Sequence, residues 1–213
     1  MGFVFPRVYP ILDASIVPPT GRVEYLLRLG GSLAEAGVML LEYRNKSGTD
    51  AELLADAEAL RSALPANAVK LILDDRADLV SATGFDGVHV DSGDMSPSEA
   101  RDLLGPLRIV GTFGGSEALV PGILSEPADY VAIGPAYATT TKQTNKLPIG
   151  PEGVRRLREQ AGPGPVLVAA GGITLDTAPA VLAAGANAVA VSAAIFRTPD
   201  PAAELRRWIA ALA

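Results

Sequence analysis

Apolar residues come in short runs, and alanine- and leucine-rich stretches with regular polar positions separate them. The runs lie at 7–13, 38–44, 69–75, 87–91, 107–113, 130–135, 166–172 and 188–195. Several, such as VKLILDD and AVAVSAAI, are apolar without clean alternation, as strands buried on both faces must be. The spacing predicts helices over 22–36, 50–63, 76–83, 97–104, 116–125, 151–160, 176–184 and 201–212. Asp50 and Ser96 read as N-caps, and Pro97 as a first helical residue. Gly37, Gly84, Gly105 and Gly185 stand where C-terminal caps belong.

Eight β-then-α units in 213 residues predict an α/β fold, a (β/α)8 TIM barrel of about minimal size. A doubly wound sheet is the competitor. It carries a glycine-rich phosphate turn after its first strand, whereas here that strand ends in Asp13, Ala14 and Ser15. No linker or low-complexity stretch interrupts the chain, so a single domain over 1–213 is expected.

Composition narrows the chemistry. Hydrophobic residues make up 48% of the chain and charged residues 20%, enough for a sizeable core. The net charge of −6 argues against a nucleic-acid binder, which needs a basic face. Cations that bind an anionic substrate must therefore be local. The absence of cysteine excludes disulfides, thiolate catalysis and cysteine metal sites. The start MGFVFPRVYP lacks the pattern of a signal peptide, and Pro6 breaks the myristoylation pattern. No run approaches the ~18 apolar residues of a membrane span. A soluble cytoplasmic protein is expected, without nucleic-acid or membrane partners. The oligomeric state, homo-oligomer or monomer, is left open.

In a barrel the active site lies at the carboxyl ends of the strands. The second strand ends Glu42, Tyr43, Arg44, Asn45, Lys46, and alternation puts Glu42, Arg44 and Lys46 on one side. The third ends Asp74, Asp75. The fourth carries His89 and leads to Asp91 and Asp94. The fifth ends in a segment containing Phe113, the seventh in Gly171 and Gly172, and the eighth reaches Ser192. The sixth feeds GPAYATTTKQTNK, Gly134 to Lys146, which is a poor helix and too polar for a core strand.

Cations, acids, hydroxyls and glycines thus gather on one rim. Arg44, Lys46 and Lys142 suit a diphosphate, with arginine supplying a fork and lysine a point charge. Asp75 and Asp94 are hard oxygen ligands of the kind that hold Mg2+ together with phosphate oxygens. Gly171 and Gly172 admit close approach of an anion to backbone amides. Two anionic groups are implied: one near strands 2, 3 and 6 with metal, the other near strands 6, 7 and 8. Each feature also has a plain structural explanation: the aspartates as helix caps, the glycines as a tight turn, the threonines as a polar loop. His89 reads as a core histidine rather than a catalyst.

At these residues the chain resembles thiamine phosphate synthase and its thiazole tautomerase (TenI-like) relatives, over about residues 7 to 197. The segments that carry the likeness are YRNK at 43–46, DDRADLV at 74–80, GVHV at 87–90, ADYVAIGPAYATTTK at 128–142, AAGGI at 169–173 and AVS at 190–192. The resemblance implies a (β/α)8 barrel that joins hydroxymethylpyrimidine diphosphate to a thiazole phosphate with Mg2+, giving thiamine phosphate and pyrophosphate. In that reaction pyrophosphate leaves first and the thiazole nitrogen captures the pyrimidine cation.

The resemblance also implies roles. Arg44 and Lys46, with Asp74 beside them and Lys142 reaching across, bind the diphosphate. Asp75 and Asp94 hold Mg2+. Thr139, Thr141, Gly172, Val191 and Ser192 grip the thiazole phosphate, while Thr140 points away. Four positions depart from the family pattern. Glu42 replaces Gln, Asp74 replaces Asn, Phe113 replaces Ser, and the run 91–94 replaces one like Gly-Gln-Glu-Asp. The ring of Phe113 offers a face to a pyrimidine. Tautomerase-like relatives tend to lose the metal carboxylates and the full T-x-TK, and this chain keeps both, which favours the synthase. The alternatives are a thiazole phosphate tautomerase using His89, and a non-catalytic thiazole-phosphate-binding regulator. The amphipathic helix over 201–212 is expected to pack Trp208 on the barrel.

Overall fold

A computed structural model describes residues 4–91, 93–139 and 145–213. Eight strands run parallel: β1 (Val8–Asp13), β2 (Leu40–Arg44), β3 (Lys70–Asp74), β4 (Gly87–Val90), β5 (Ile109–Gly115), β6 (Tyr130–Ile133), β7 (Leu167–Ala170) and β8 (Ala188–Val191). They pair in sequence order, and β8 returns to β1 to close the barrel. Around it lie α1 (Arg22–Glu35), α2 (Asp50–Ala63), α3 (Val80–Thr83), α4 (Pro97–Leu104), α5 (Gly150–Ala161), α6 (Ala178–Ala183), α7 (Ala193–Phe196) and α8 (Pro201–Leu212). The (β/α)8 expectation holds.

The unalternated apolar runs follow from two buried faces. Outward side chains such as Leu12, Leu41, Leu73, Val88, Val131 and Val189 pack in the layer between barrel and helices. Inward ones, Tyr9, Leu40, Ile72, Tyr130, Val168 and Ala188, fill the lower barrel. Two residues further along, the same inward phase puts Ile11, Glu42, Asp74, Ala132, Ala170 and Ala190 around an open cavity. The strand period alone therefore separates core from site.

Several element ends differ from the sequence reading. Ser96 caps α4 in a reciprocal box with Glu99, with Pro97 in its first turn, as read. At α2 the cap is Thr49, not Asp50. Its hydroxyl accepts from the Glu52 amide while the Glu52 side chain returns to Thr49. Asp50 instead places an acid in the first turn and pairs with Arg76 at 2.5 Å. The expected helix over 116–125 is not formed. Pro121 lacks an amide hydrogen and Gly122 sits at φ 80°, so only a 3-10 turn at Ile123–Ser125 remains. The last strand stops at Val191 rather than 195, and α7 takes up the rest. The stretch over 76–83 divides into a 3-10 turn at Ala77–Leu79 and the short α3.

A buried cluster fixes β2 to its helices. Asp56 on α2 is fully buried and accepts from Arg22 Nε at 2.8 Å and from the Tyr43 hydroxyl. Removing one partner of such a pair typically costs about 3–5 kcal/mol, because the remaining charge stays buried. On α8, Trp208 is buried against the barrel layer, as read, and its Nε1 donates to Glu204 at 3.0 Å. Among the described residues no helix is long and apolar enough to cross a membrane.

Candidate active site

The cavity at the carboxyl end of the barrel has a volume of about 610 Å³. A smaller apolar groove of about 240 Å³ lies between β1 and α8, and among the described residues Arg7 is the only charged side chain on it. The larger cavity is the candidate site, because its walls carry the convergent polar groups that a small-molecule site needs.

One end is built on charge. Arg44 reaches the carboxylate of Asp13 at the tip of β1 and lies 3.5 Å from Asp74 Oδ2. Lys46 pairs with Asp75, and its Nζ lies 3.1 Å from Asp74 Oδ2. The Asp74 oxygen nevertheless receives no hydrogen bond of good geometry, so its attraction to both cations is Coulombic. Asp13 is held below the usual carboxylate range: burial pushes it up, but hydrogen bonds from Ser15 and Arg44 outweigh that. Asp13 thereby aims the Arg44 guanidinium, a role the sequence reading missed.

Asp75 stands out. Its backbone is left-handed at φ 64°, the one non-glycine residue so placed among the described residues. Its Oδ1 is buried without a hydrogen-bond partner. A strained carboxylate with an unsatisfied buried oxygen fits a cation ligand. Asp94 lies on the next loop, where its Oδ2 accepts from the Asp91 amide at 2.9 Å. Among the described residues no three acidic or histidine side chains converge into a metal cage. Two carboxylates completed by substrate oxygens remain compatible with Mg2+, which commonly keeps few protein ligands.

The opposite end is built on backbone. After β6 the chain lies along β7: the Ala136 amide donates to Ala170 O at 2.7 Å and the Tyr137 amide to Gly171 O at 2.9 Å. On its return, the Ile149 and Gly150 amides donate to Pro135 O and Ala136 O, both at 2.9 Å, closing the loop at its base. Gly172 makes this seating possible. It sits at φ 64°, and a Cβ there would lie 2.2 Å from Ala138 O. Thr139, Gly172, Val191 and Ser192 all line the cavity. The Val191 side chain belongs to the outer core layer, so it meets the cavity through its backbone. Thr140, Thr141 and Lys142 lie outside the described residues.

Between these ends, Glu42 and His89 line the floor and Phe113 the wall. The Lys146 ammonium stands 3.8 Å above the Phe113 ring, a cation–π contact not foreseen from the sequence. Glu42 is buried. Burial and the charge of Asp74 push its pKa up to about 8, against the opposing Tyr9 hydrogen bond and the cations Arg44 and Lys46. His89 is satisfied by Tyr130, as a core histidine should be, yet it also faces the cavity. Of the described sequence-named residues, Glu42, Arg44, Asp74, Phe113, Thr139, Gly172, Val191 and Ser192 line the cavity; Lys46 and Asp75 adjoin it through the ion pairs of Lys46 with Asp74 and Asp75, and Asp94 stands on the loop after β4 without lining it.

The family profile described as "Thiamine monophosphate synthase" matches residues 8–195. The chain belongs to the thiamine monophosphate synthase family. A thiamine-phosphate synthase of Koribacter versatilis is 40% identical over 198 residues, covering 93% of this chain and 92% of that protein. One from Agrobacterium fabrum is 38% identical, covering 91% of this chain and 88% of that protein. The solved thiamine phosphate pyrophosphorylase of Pyrococcus furiosus has a TM-score of 0.73 at 27% identity, covering 96% of this chain and 95% of that one. Thiamine monophosphate synthase membership extends over all eight strands, so the site lies wholly within the shared region.

Proposed function

We propose that the chain is a transferase of thiamine biosynthesis, a thiamine-phosphate synthase. It condenses hydroxymethylpyrimidine diphosphate with thiazole phosphate to give thiamine phosphate and pyrophosphate. The observation that carries this reading is the two-ended cavity: a cation-and-carboxylate end at β2 and β3 faces a backbone-and-hydroxyl end at β7 and β8. A one-substrate tautomerase has no use for the first end. The names of the relatives also favour the synthase over the tautomerase and the regulator.

In this reading Arg44 and Lys46 bind the departing diphosphate, Asp74 and Asp13 set their positions, and Lys142 adds charge from the β6 loop. Asp75, with Asp94, would hold Mg2+, which when bound supplies neutralisation of the charge that develops on the diphosphate. Thr139, Thr141, Ser192 and the backbone at Gly172 and Val191 hold the thiazole phosphate. Phe113 supplies an apolar face to the pyrimidine, and Glu42 a polar edge. The chemistry needs no protein nucleophile: the C–O bond to diphosphate breaks, and the thiazole nitrogen lone pair forms the new C–N bond. Placing that nitrogen in line, and stabilising charge where it develops, are the chain's contributions.

Pyrophosphate release from the two substrates together, dependent on Mg2+, tests the proposal. Turnover of a thiazole phosphate alone, unaffected by metal and abolished in His89→Ala, would favour the tautomerase.

A further inference from the structure

Phe113 and Lys146 form a pair in the cavity wall, between the charged end and the backbone end. The Lys146 ammonium stands 3.8 Å above the centroid of the Phe113 ring, and both side chains line the cavity. Two local devices build the pair. On β5 the register against β6 shifts between Phe113 and Gly115. Gly115 takes up this irregularity at φ 135°, where a Cβ would lie 2.1 Å from Ala118 O, so the bulge needs a glycine. A bulge beside an active site re-aims a side chain, and the side chain at this one is the half-buried Phe113. On the opposing loop, Lys146 lies just before Ile149, whose amide donates to Pro135 O at 2.9 Å. The returning arm is thereby tied to the end of β6, and it brings the exposed Lys146 over the β5 ring.

Charge indicates what the ammonium is for. Among the described residues, the acidic and basic side chains lining the cavity, His89 apart, are Glu42, Arg44, Asp74, Asp91 and Lys146. At the charged end, Asp13, Asp74 and Asp75 face Arg44 and Lys46, three carboxylates against two cations. That balance is negative before any ligand arrives, and a diphosphate makes it more so. The backbone end meets its anion with amides and hydroxyls and has no such deficit. Positive charge brought in from the β6 loop therefore serves the charged end first.

The ring gives that charge a fixed place. Lysine is a point charge on a flexible four-carbon stem, and ordering such a side chain costs rotamer entropy. A cation–π contact holds the stem before the ligand binds. An aromatic face and a phosphate oxygen can share one ammonium, because it has three N–H donors. We infer that Lys146 is a further binding residue for the diphosphate group, and that Phe113 is the positioning residue that holds it. The inference rests on the proposed function for the presence of a diphosphate. A ring has two faces, so holding an ammonium on one is compatible with offering the other to a pyrimidine.

Titration calorimetry with inorganic pyrophosphate and Mg2+ tests the assignment, because this probe has no ring and reports the anion contact alone. Lys146→Met should weaken binding about tenfold, the scale of a hydrogen bond to a charged group. Lys146→Arg should recover most of that loss. Phe113→Leu should weaken binding about two- to fivefold, and Phe113→Tyr, which keeps the ring, less. Combining Lys146→Met with Phe113→Leu should add nothing to Lys146→Met alone. The affinity for thiazole phosphate, measured on the same variants, should move by less than about twofold, as for a separate site. Added salt should narrow the gap between the parent and Lys146→Met.

Unchanged pyrophosphate affinity in Lys146→Met overturns the inference, and so do equal losses for the two anions, which would mark a general disturbance of the loop. Fully additive losses in the double variant overturn the positioning role of Phe113. A parent protein that binds no pyrophosphate removes this inference together with the proposed function. A parent that binds and releases pyrophosphate, with Lys146→Met unaffected, removes this inference alone.

Discussion

The two ends of the cavity hold their groups by different means. At β1, β2 and β3, Arg44, Lys46, Asp13, Asp74 and Asp75 hold one another by charge, and two buried aspartate oxygens, Asp74 Oδ2 and Asp75 Oδ1, have no hydrogen-bond partner. At β7 and β8 the loop after β6 is seated by backbone hydrogen bonds over a glycine pair. Two of the departures from the family pattern, Glu42 and Asp74, cluster at or beside the charged end. The first end is therefore tunable by single charge changes, whereas the second tolerates only changes that leave its backbone shape intact.

This contrast can be broken most severely at Asp75. In Asp75→Ala, kcat should fall about a thousandfold, the scale expected when a main electrostatic stabiliser of a transition state is removed. Steady-state pyrophosphate release is the measurement, and loss of less than tenfold would remove Asp75 from the site. Gly172→Ala attacks the other end. The left-handed backbone and the contact with Ala138 O should displace the loop and raise the KM for thiazole phosphate by about 10- to 100-fold. The KM for the pyrimidine diphosphate should change far less.

A smaller effect separates the ends by pH. Because folding raises the Glu42 pKa to about 8, its stabilising contribution is complete below the unfolded carboxyl pKa and is lost as pH rises through the folded value. The stability of the parent relative to Glu42→Gln should therefore decline by about 1 kcal/mol or more between roughly pH 5 and 8. Denaturant titrations across that range would show a constant difference if Glu42 were ionised throughout. The smallest effect belongs to Ser192→Ala, which removes one hydroxyl from an end that keeps the Thr139 hydroxyl and its backbone groups. A loss of about 3- to 10-fold in affinity for thiazole phosphate is expected, with no change in the pH profile.

Much of this architecture was legible in the sequence, and the exceptions have physical reasons. Continuous apolar runs announced doubly buried strands, and the rim residues followed from strand ends. The helix expected over 116–125 fails at Pro121 and Gly122, breakers visible in the sequence but outweighed by the regular β–α rhythm. Tyr9 and Tyr130 were not legible as site neighbours. In strands apolar on both faces the inward phase is hidden, and Tyr9 meets Glu42 and Tyr130 meets His89 across sequence separations of 33 and 41 residues. Asp13 was seen as the end of a strand, but its pairing with Arg44 needs the barrel to bring β1 beside β2. The cation–π pair of Phe113 and Lys146 likewise joins residues that only the returning β6 loop brings together.

The central claim is that one cavity binds two substrates and joins them. It is tested most directly by following pyrophosphate release and product mass with hydroxymethylpyrimidine diphosphate and thiazole phosphate, each alone and together, with and without Mg2+. The account predicts thiamine phosphate and stoichiometric pyrophosphate only when both substrates and the metal are present. No product from the pair under any of these conditions, or turnover of thiazole phosphate alone, would contradict it.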